Sequence, residues 1–185
     1  MTQPASAWNI ANAITITRIL LVPVVVWLLF DANVTGSMTW IWALFLFVLS
    51  AATDGVDGAI ARRRGLITNL GKILDPIADK ALIGVTMIVL SILGELPWWA
   101  TILVLGRELG ITIYRLVVVR RKVLSATGGG KFKTVFQIVV ISIIIIPASQ
   151  ILGEWFTLIE LGLVSTMVAI TLVTGFQILV SQRRG

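Results

Sequence analysis

Residues 49–84 read LSAATDGVDGAIARRRGLITNLGKILDPIADKALIG, the end of one apolar run and the start of the next, with four aspartates set into them. Asp54 and Asp57 stand at i, i+3, and Asp75 and Asp79 at i, i+4. If both runs are helical, each pair lies on one face of its helix. Gly58 and Ala61 extend the first face with small residues, and Gly71 extends the second. At a rise of about 1.5 Å per residue, Asp54 falls roughly 24 Å along its helix, and Asp75 and Asp79 fall roughly 6 and 12 Å into theirs. All four carboxylates then sit at a similar depth, beside a gap free of bulky side chains.

The rest of the chain explains what these helices cross. Of 185 residues, 57% are hydrophobic and 13% charged, against about a quarter charged in soluble domains. Apolar stretches of bilayer-spanning length recur throughout. The expected fold is all-α and integral to the membrane, a single domain over 1–185. Six spans are predicted at about 14–30, 38–62, 71–93, 97–120, 134–152 and 158–180. Residues 1–13, with Trp8 and Ile10 among polar neighbours, fit a short interfacial amphipathic helix ahead of them, or else a frayed terminus. No Lys or Arg precedes the first apolar run, so that run reads as a retained span rather than a cleaved signal. Residues 125–130, SATGGG, read as a turn.

Three of the intervening loops, 31–37, 94–96 and 153–157, contain no Lys or Arg but carry Asp31, Glu95 and Glu154. The opposite side receives Arg62, Arg63, Arg64, Lys72, Arg120, Arg121, Lys122, Lys131, Lys133, Arg183 and Arg184. Basic residues accumulate in cytoplasmic loops. Both termini and the aspartate cluster are therefore expected at the cytoplasmic face of the cell (inner) membrane. The net charge of +6 is a topology and lipid-headgroup signal rather than a nucleic-acid footprint.

The absence of Cys excludes disulfides and thiolate chemistry, and the absence of His excludes Ser-His triads and His-based phospholipase chemistry. Carboxylates remain as the acid/base groups. Acids within a membrane cost roughly 2.5–3.5 kcal/mol each on insertion scales, and four together repel one another. Divalent cations resolve both problems, and hard oxygen ligands suit Mg²⁺ or Mn²⁺. Two metals bridged by carboxylates make a site for in-line displacement at phosphorus. The competing reading, helix-end acids paired with Arg62, Arg63, Lys72 and Lys80, suits a single pair of acids better than two phased pairs with intervening glycines.

As a pattern the segment is D-x-x-D-G-x-x-A-R, eight residues, then G-x-x-x-D-x-x-x-D, filled by Asp54, Asp57, Gly58, Ala61, Arg62, Gly71, Asp75 and Asp79. This resembles the signature of the CDP-alcohol phosphotransferase family, whose six-helix members this chain resembles over nearly its full length. The resemblance implies that Asp54, Asp57 and Asp75 ligate a metal pair and that Asp79, also adjacent to the second metal, is the general base. It further implies that Gly58, Ala61, Arg62 and Gly71 accommodate the cytidine diphosphate of CDP-diacylglycerol, and that members pair as homodimers. The reaction would be attack of a deprotonated alcohol on the lipid-linked phosphorus, with CMP leaving.

Two further segments bear on the alcohol. NIANAITITRILLVP near the N-terminus resembles the branch of that family whose acceptor is sn-glycerol 3-phosphate, although relatives commonly carry proline where Ala11 stands. Its polar stripe of Asn9, Asn12, Thr15 and Arg18 has no assigned role here, and an interfacial helix start with Arg18 snorkelling accounts for it equally well. GRELGITIYR and GGKFKTVFQ resemble the same branch. Independently of resemblance, a phosphorylated acceptor needs fixed cations, and Arg107, Arg115, Lys131 and Lys133 are available. A Glu108–Arg115 ion pair at i, i+7 is the structural alternative. Other acceptors for the same chemistry are inositol phosphate and phosphatidylglycerol. A divalent-cation channel or carrier is the reading from another class, but it would place acids at the midplane of several spans.

Overall fold

An apolar segment withdrawn from water has to satisfy its backbone amides within itself, and the α-helix does so. In the computed structural model the described residues form α1 (Ile10–Thr35), α2 (Thr39–Arg64), α3 (Asn69–Ile92), α4 (Trp98–Val118), α5 (Gly129–Ile145), α6 (Ala148–Leu152) and α7 (Trp155–Arg183). The structure describes residues 10–36, 38–64, 69–118 and 129–183. For 10–12, 54–64, 69–77, 79, 115–118, 129–131, 149–150, 179 and 181–183 it describes the backbone alone.

Five of the predicted spans correspond to α1, α2, α3, α4 and α7. The fifth, expected over 134–152, is divided: α5 stops at Ile145, and the five-residue α6 begins at Ala148. Pro147 is the cause, because it has no N–H to donate and its ring disfavours helical geometry at Ile146. Gly129 and Gly130, expected in a turn, open α5 instead; residues 119–128 lie outside the described residues. So do residues 1–9 of the expected interfacial helix, whereas Ile10 onward is already continuous with α1. Helix α1 ends where Gly36 takes φ +64° and its amide donates to the Ala32 carbonyl at 3.0 Å, a left-handed cap that residues with a Cβ adopt at a cost.

The helices assemble as two compact units, Met1–Leu93 and Gly94–Gly185. In the first, α1 packs on both α2 and α3. Its buried positions 15, 18, 22, 25 and 29 alternate in steps of three and four, as a helix seam requires. Ala43, Phe47 and Ser50 form the matching stripe on α2, and Leu82, Thr86, Met87 and Leu90 that on α3. In the second unit α7 packs on α4, α5 and α6, through a stripe of Val164, Met167, Val168 and Thr171.

The outward faces are apolar. Leu20, Trp27, Trp42, Phe45, Ile102, Leu158 and Phe176 are all exposed. The buried set, by contrast, includes Thr15, Arg18, Lys133, Gln137 and Thr171. Apolar outward faces, with the polar side chains directed into a largely apolar interior, suit a lipid solvent. Among the described residues two helical segments are long and apolar enough to cross a membrane, Ala13–Thr35 with mean hydropathy 2.3 and Trp155–Ile178 with 2.0. The regular structure of the described residues is all helical, and with their apolar outward faces it is consistent with a membrane protein.

Candidate active site

The aspartates occupy the continuation of a packing seam. On α2 the buried positions 43, 47 and 50 lead in the same three-and-four alternation to 54, 57 and 61. On α3, positions 71, 75, 78 and 82 share one face, of which Ala78 and Leu82 are buried. Helices α2 and α3 pack together and are joined by residues 65–68 alone, so they run antiparallel. Counting back from the joined ends, Asp57 and Asp75 stand about 10 and 9 Å in, and Asp54 and Asp79 both about 15 Å in. The side chains of Asp54, Asp57, Gly58, Ala61, Arg62, Gly71, Asp75 and Asp79 lie outside the described side chains. Among the described residues no group of three metal-ligating side chains gathers.

Helix α1 contributes to the same seam. It is joined to α2 by three residues and packs against it, so the two run antiparallel. Arg18 then lies about 25 Å from the linked end, and positions 54 and 57 about 22 and 27 Å from theirs. Arg18 is 1% exposed. It does not snorkel to a boundary; its guanidinium is enclosed by protein at the level of the aspartates, with Thr15 buried one turn away. Asn9 and the Asn12 side chain lie outside the described residues.

In the second unit the expected cations meet an unexpected partner. The Glu108 carboxylate accepts from Arg107 Nη1 at 3.0 Å and from Lys133 Nζ, both at Oε1. Arg107 Nη2 donates to Thr174 Oγ1 at 3.2 Å. The Thr174 hydroxyl is itself directed at the carbonyls of Ile170 and Thr171, at 2.8 and 3.0 Å. The side chains of Arg107 and Lys133 are 10% and 9% exposed and that of Glu108 20%. Gln137, one turn beyond Lys133, is buried. Glu108 therefore pairs with Arg107 and Lys133; the Glu108–Arg115 pair suggested by i, i+7 spacing falls on a side chain outside the described residues. The side chains of Arg115 and Lys131 are outside the described set.

Gly175 is what lets Arg107 lie along α7: a Cβ there would come within 2.7 Å of Arg107 Nε. Arg107 also forms part of the wall of an open groove of about 580 Å³ between α4 and α7, lined otherwise by Gly110, Ile111, Tyr114, Leu172, Gly175 and Phe176. No α7 residue was singled out from sequence as a site residue. The one available signal was small and hydroxyl-bearing residues at 171, 174 and 175 in an otherwise apolar helix.

Carboxylates at matched depth on one helical hairpin, and clustered cations on a second bundle, are groups able to bind metals and phosphates. The same sequence is matched over residues 8–179 by the model of the CDP-alcohol phosphatidyltransferase family, which spans both units. A probable phosphatidylglycerophosphate synthase of Mycobacterium tuberculosis is 46% identical over 141 residues, covering 76% of this chain and 68% of that protein. A CDP-diacylglycerol–glycerol-3-phosphate 3-phosphatidyltransferase of Bacillus subtilis is 34% identical over 149 residues, covering 75% and 77%. A Rickettsia bellii protein of the same name is 34% identical over 175 residues, covering 91% and 92%. With the match running through nearly every helix and both candidate clusters, the chain belongs to the CDP-alcohol phosphatidyltransferase family.

Proposed function

We propose that this protein transfers the phosphatidyl group of CDP-diacylglycerol to sn-glycerol 3-phosphate, forming phosphatidylglycerophosphate and releasing CMP. The observation that carries the reading is the complete aspartate motif on the adjoining ends of two consecutive helices that contact one another. The relatives named for this activity at 34–46% identity support the same acceptor. A primary hydroxyl of the acceptor forms a bond to the lipid-linked phosphorus, the phosphoanhydride bond breaks, and the electron pair leaves on CMP.

In this reading Asp79 accepts the hydroxyl proton as attack proceeds. Asp54, Asp57 and Asp75, with Asp79, hold two Mg²⁺ or Mn²⁺ ions. An all-carboxylate donor set at one depth fits hard divalent cations. Such ions, when bound, stabilise negative charge on the pyrophosphate oxygens. Gly58, Ala61 and Gly71 leave space for the cytidine and ribose, and Arg62 faces the diphosphate. Arg107, Arg115, Lys131 and Lys133 hold the acceptor phosphate, a role that the Arg107–Glu108–Lys133 cluster supports for two of them. The homodimer implied by family resemblance is carried in the same reading.

Purified protein in detergent with Mg²⁺ and CDP-diacylglycerol is expected to release CMP with sn-glycerol 3-phosphate, and far less with inositol phosphate, inositol, serine or phosphatidylglycerol. Preference for any other acceptor in that panel would reassign the substrate, and no CMP release with any of them would end the transferase reading.

The same proposal comprises six spans with both termini cytoplasmic, supported by loops 31–37, 94–96 and 153–157 that carry no basic residue. The absence of Cys makes this directly measurable. Glu154→Cys in intact cells is expected to react with an impermeant maleimide, and Gly185→Cys only after permeabilisation. The reverse pattern would invert the topology.

A further inference from the structure

We infer that Glu108 is a positioning residue for the acceptor phosphate: its carboxylate holds the charged ends of Arg107 and Lys133 together so that both face one anion. The inference rests on the acceptor role proposed above for these cations. A phosphate site built from two cations has an intrinsic difficulty before substrate arrives. Like charges brought together with about nine-tenths of each side chain covered repel strongly and have lost most of their water. Without a fixed anion they would separate, and the site would have to be reassembled at each binding event. Glu108 removes that problem, since one oxygen, Oε1, accepts from both Arg107 Nη1 and Lys133 Nζ.

The three charges leave a net single positive charge, so the cluster still attracts a phosphate. Two of the five guanidinium N–H groups are used by Glu108 and Thr174, which fixes the plane of the guanidinium and leaves other donors for phosphate oxygens. Gly175 closes the frame, because a side chain there would displace Arg107 at Nε. A purely structural ion pair needs one cation per carboxylate. Here two cations from α4 and α5 converge on one, with a hydroxyl of α7 supporting the first.

The test compares wild type with Glu108→Gln, Glu108→Asp and Gly175→Ala, using Lys133→Ala as reference. The readouts are acceptor KM, lipid KM, kcat at saturating acceptor, and inhibition by inorganic phosphate competing with the acceptor. Glu108→Gln keeps the shape but loses the charge. It is expected to raise the acceptor KM about tenfold while kcat and the lipid KM hold within about twofold. Its Ki for inorganic phosphate should rise in parallel, and Glu108→Asp should fall between it and wild type.

Gly175→Ala removes no charged group and keeps the proposal testable if Glu108→Gln does not fold. It is expected to raise the acceptor KM several-fold by shifting Arg107. If Lys133→Ala raises the acceptor KM and neither Glu108→Gln nor Gly175→Ala does, Glu108 is not a positioning residue. A lower acceptor KM in Glu108→Gln would make the carboxylate a competitor of the substrate and would equally overturn the proposal. If Lys133→Ala itself leaves the acceptor KM unmoved, the acceptor-site reading falls first and this inference with it.

Discussion

Asp79→Asn is expected to lower kcat by about 10²–10⁴-fold, the usual worth of a general base, while CDP-diacylglycerol still binds. Asparagine has the same size as aspartate and retains one oxygen that can face a metal, but it cannot take a proton from the attacking hydroxyl. Position 79 stands at the same depth in the hairpin as position 54, about 15 Å from the joined helix ends. Loss of the base therefore leaves the other three carboxylates on their seam. Binding is read by protection of the detergent-solubilised protein against thermal unfolding by CDP-diacylglycerol with Mg²⁺, and turnover by CMP release. Loss of thermal protection together with turnover would make Asp79 chiefly a metal ligand. Near-normal turnover would remove it from the chemistry altogether.

Lys133→Ala carries the second large effect, on the other substrate. The Lys133 side chain is 9% exposed and its ammonium is bonded to Glu108. Truncating one member of a buried, hydrogen-bonded charge pair costs about 2–5 kcal/mol. If two of those kcal/mol appear in acceptor binding, the KM for sn-glycerol 3-phosphate rises about thirtyfold. The lipid KM is expected to stay near its wild-type value, and Arg107→Ala should act in the same direction. Steady-state kinetics with each substrate varied in turn separates the cases. Equal increases in both KM values would indicate a general loss of structure, and an unchanged acceptor KM would take these cations out of the phosphate site.

Much of the architecture could be read from residue order because it depends on local periodicity. The aspartate pairs share helix faces simply because three and four residues make about one helical turn, and the backbone of α2 and α3 agrees. The division of the fifth span is also local in cause, since Pro147 stands in plain view. A continuous run of apolar residues masked it, because hydropathy averages over a window while a missing N–H acts at a single position.

What remained illegible was the choice of partner. Glu108 has Arg107 beside it and Arg115 two turns away on its own helix, and linear spacing favours the latter. The carboxylate engages Arg107 and Lys133, the latter on α5, which like α4 packs on α7. Arg18 is a similar case. A lone arginine near a helix start is equally consistent with snorkelling and with burial, and only the packing of α1 on α2 and α3 encloses it to 1% exposure. On α7, Thr174 and Gly175 carry no charge and no motif, and they acquire a role only through Arg107 lying across them. By itself the sequence determined the helices, their membrane character and the acid set that names the chemistry, since these follow from composition and short-range period. The tertiary structure alone decided which charges meet, because contacts between residues 25 to 67 positions apart are set by helix packing and leave no periodic trace along the chain.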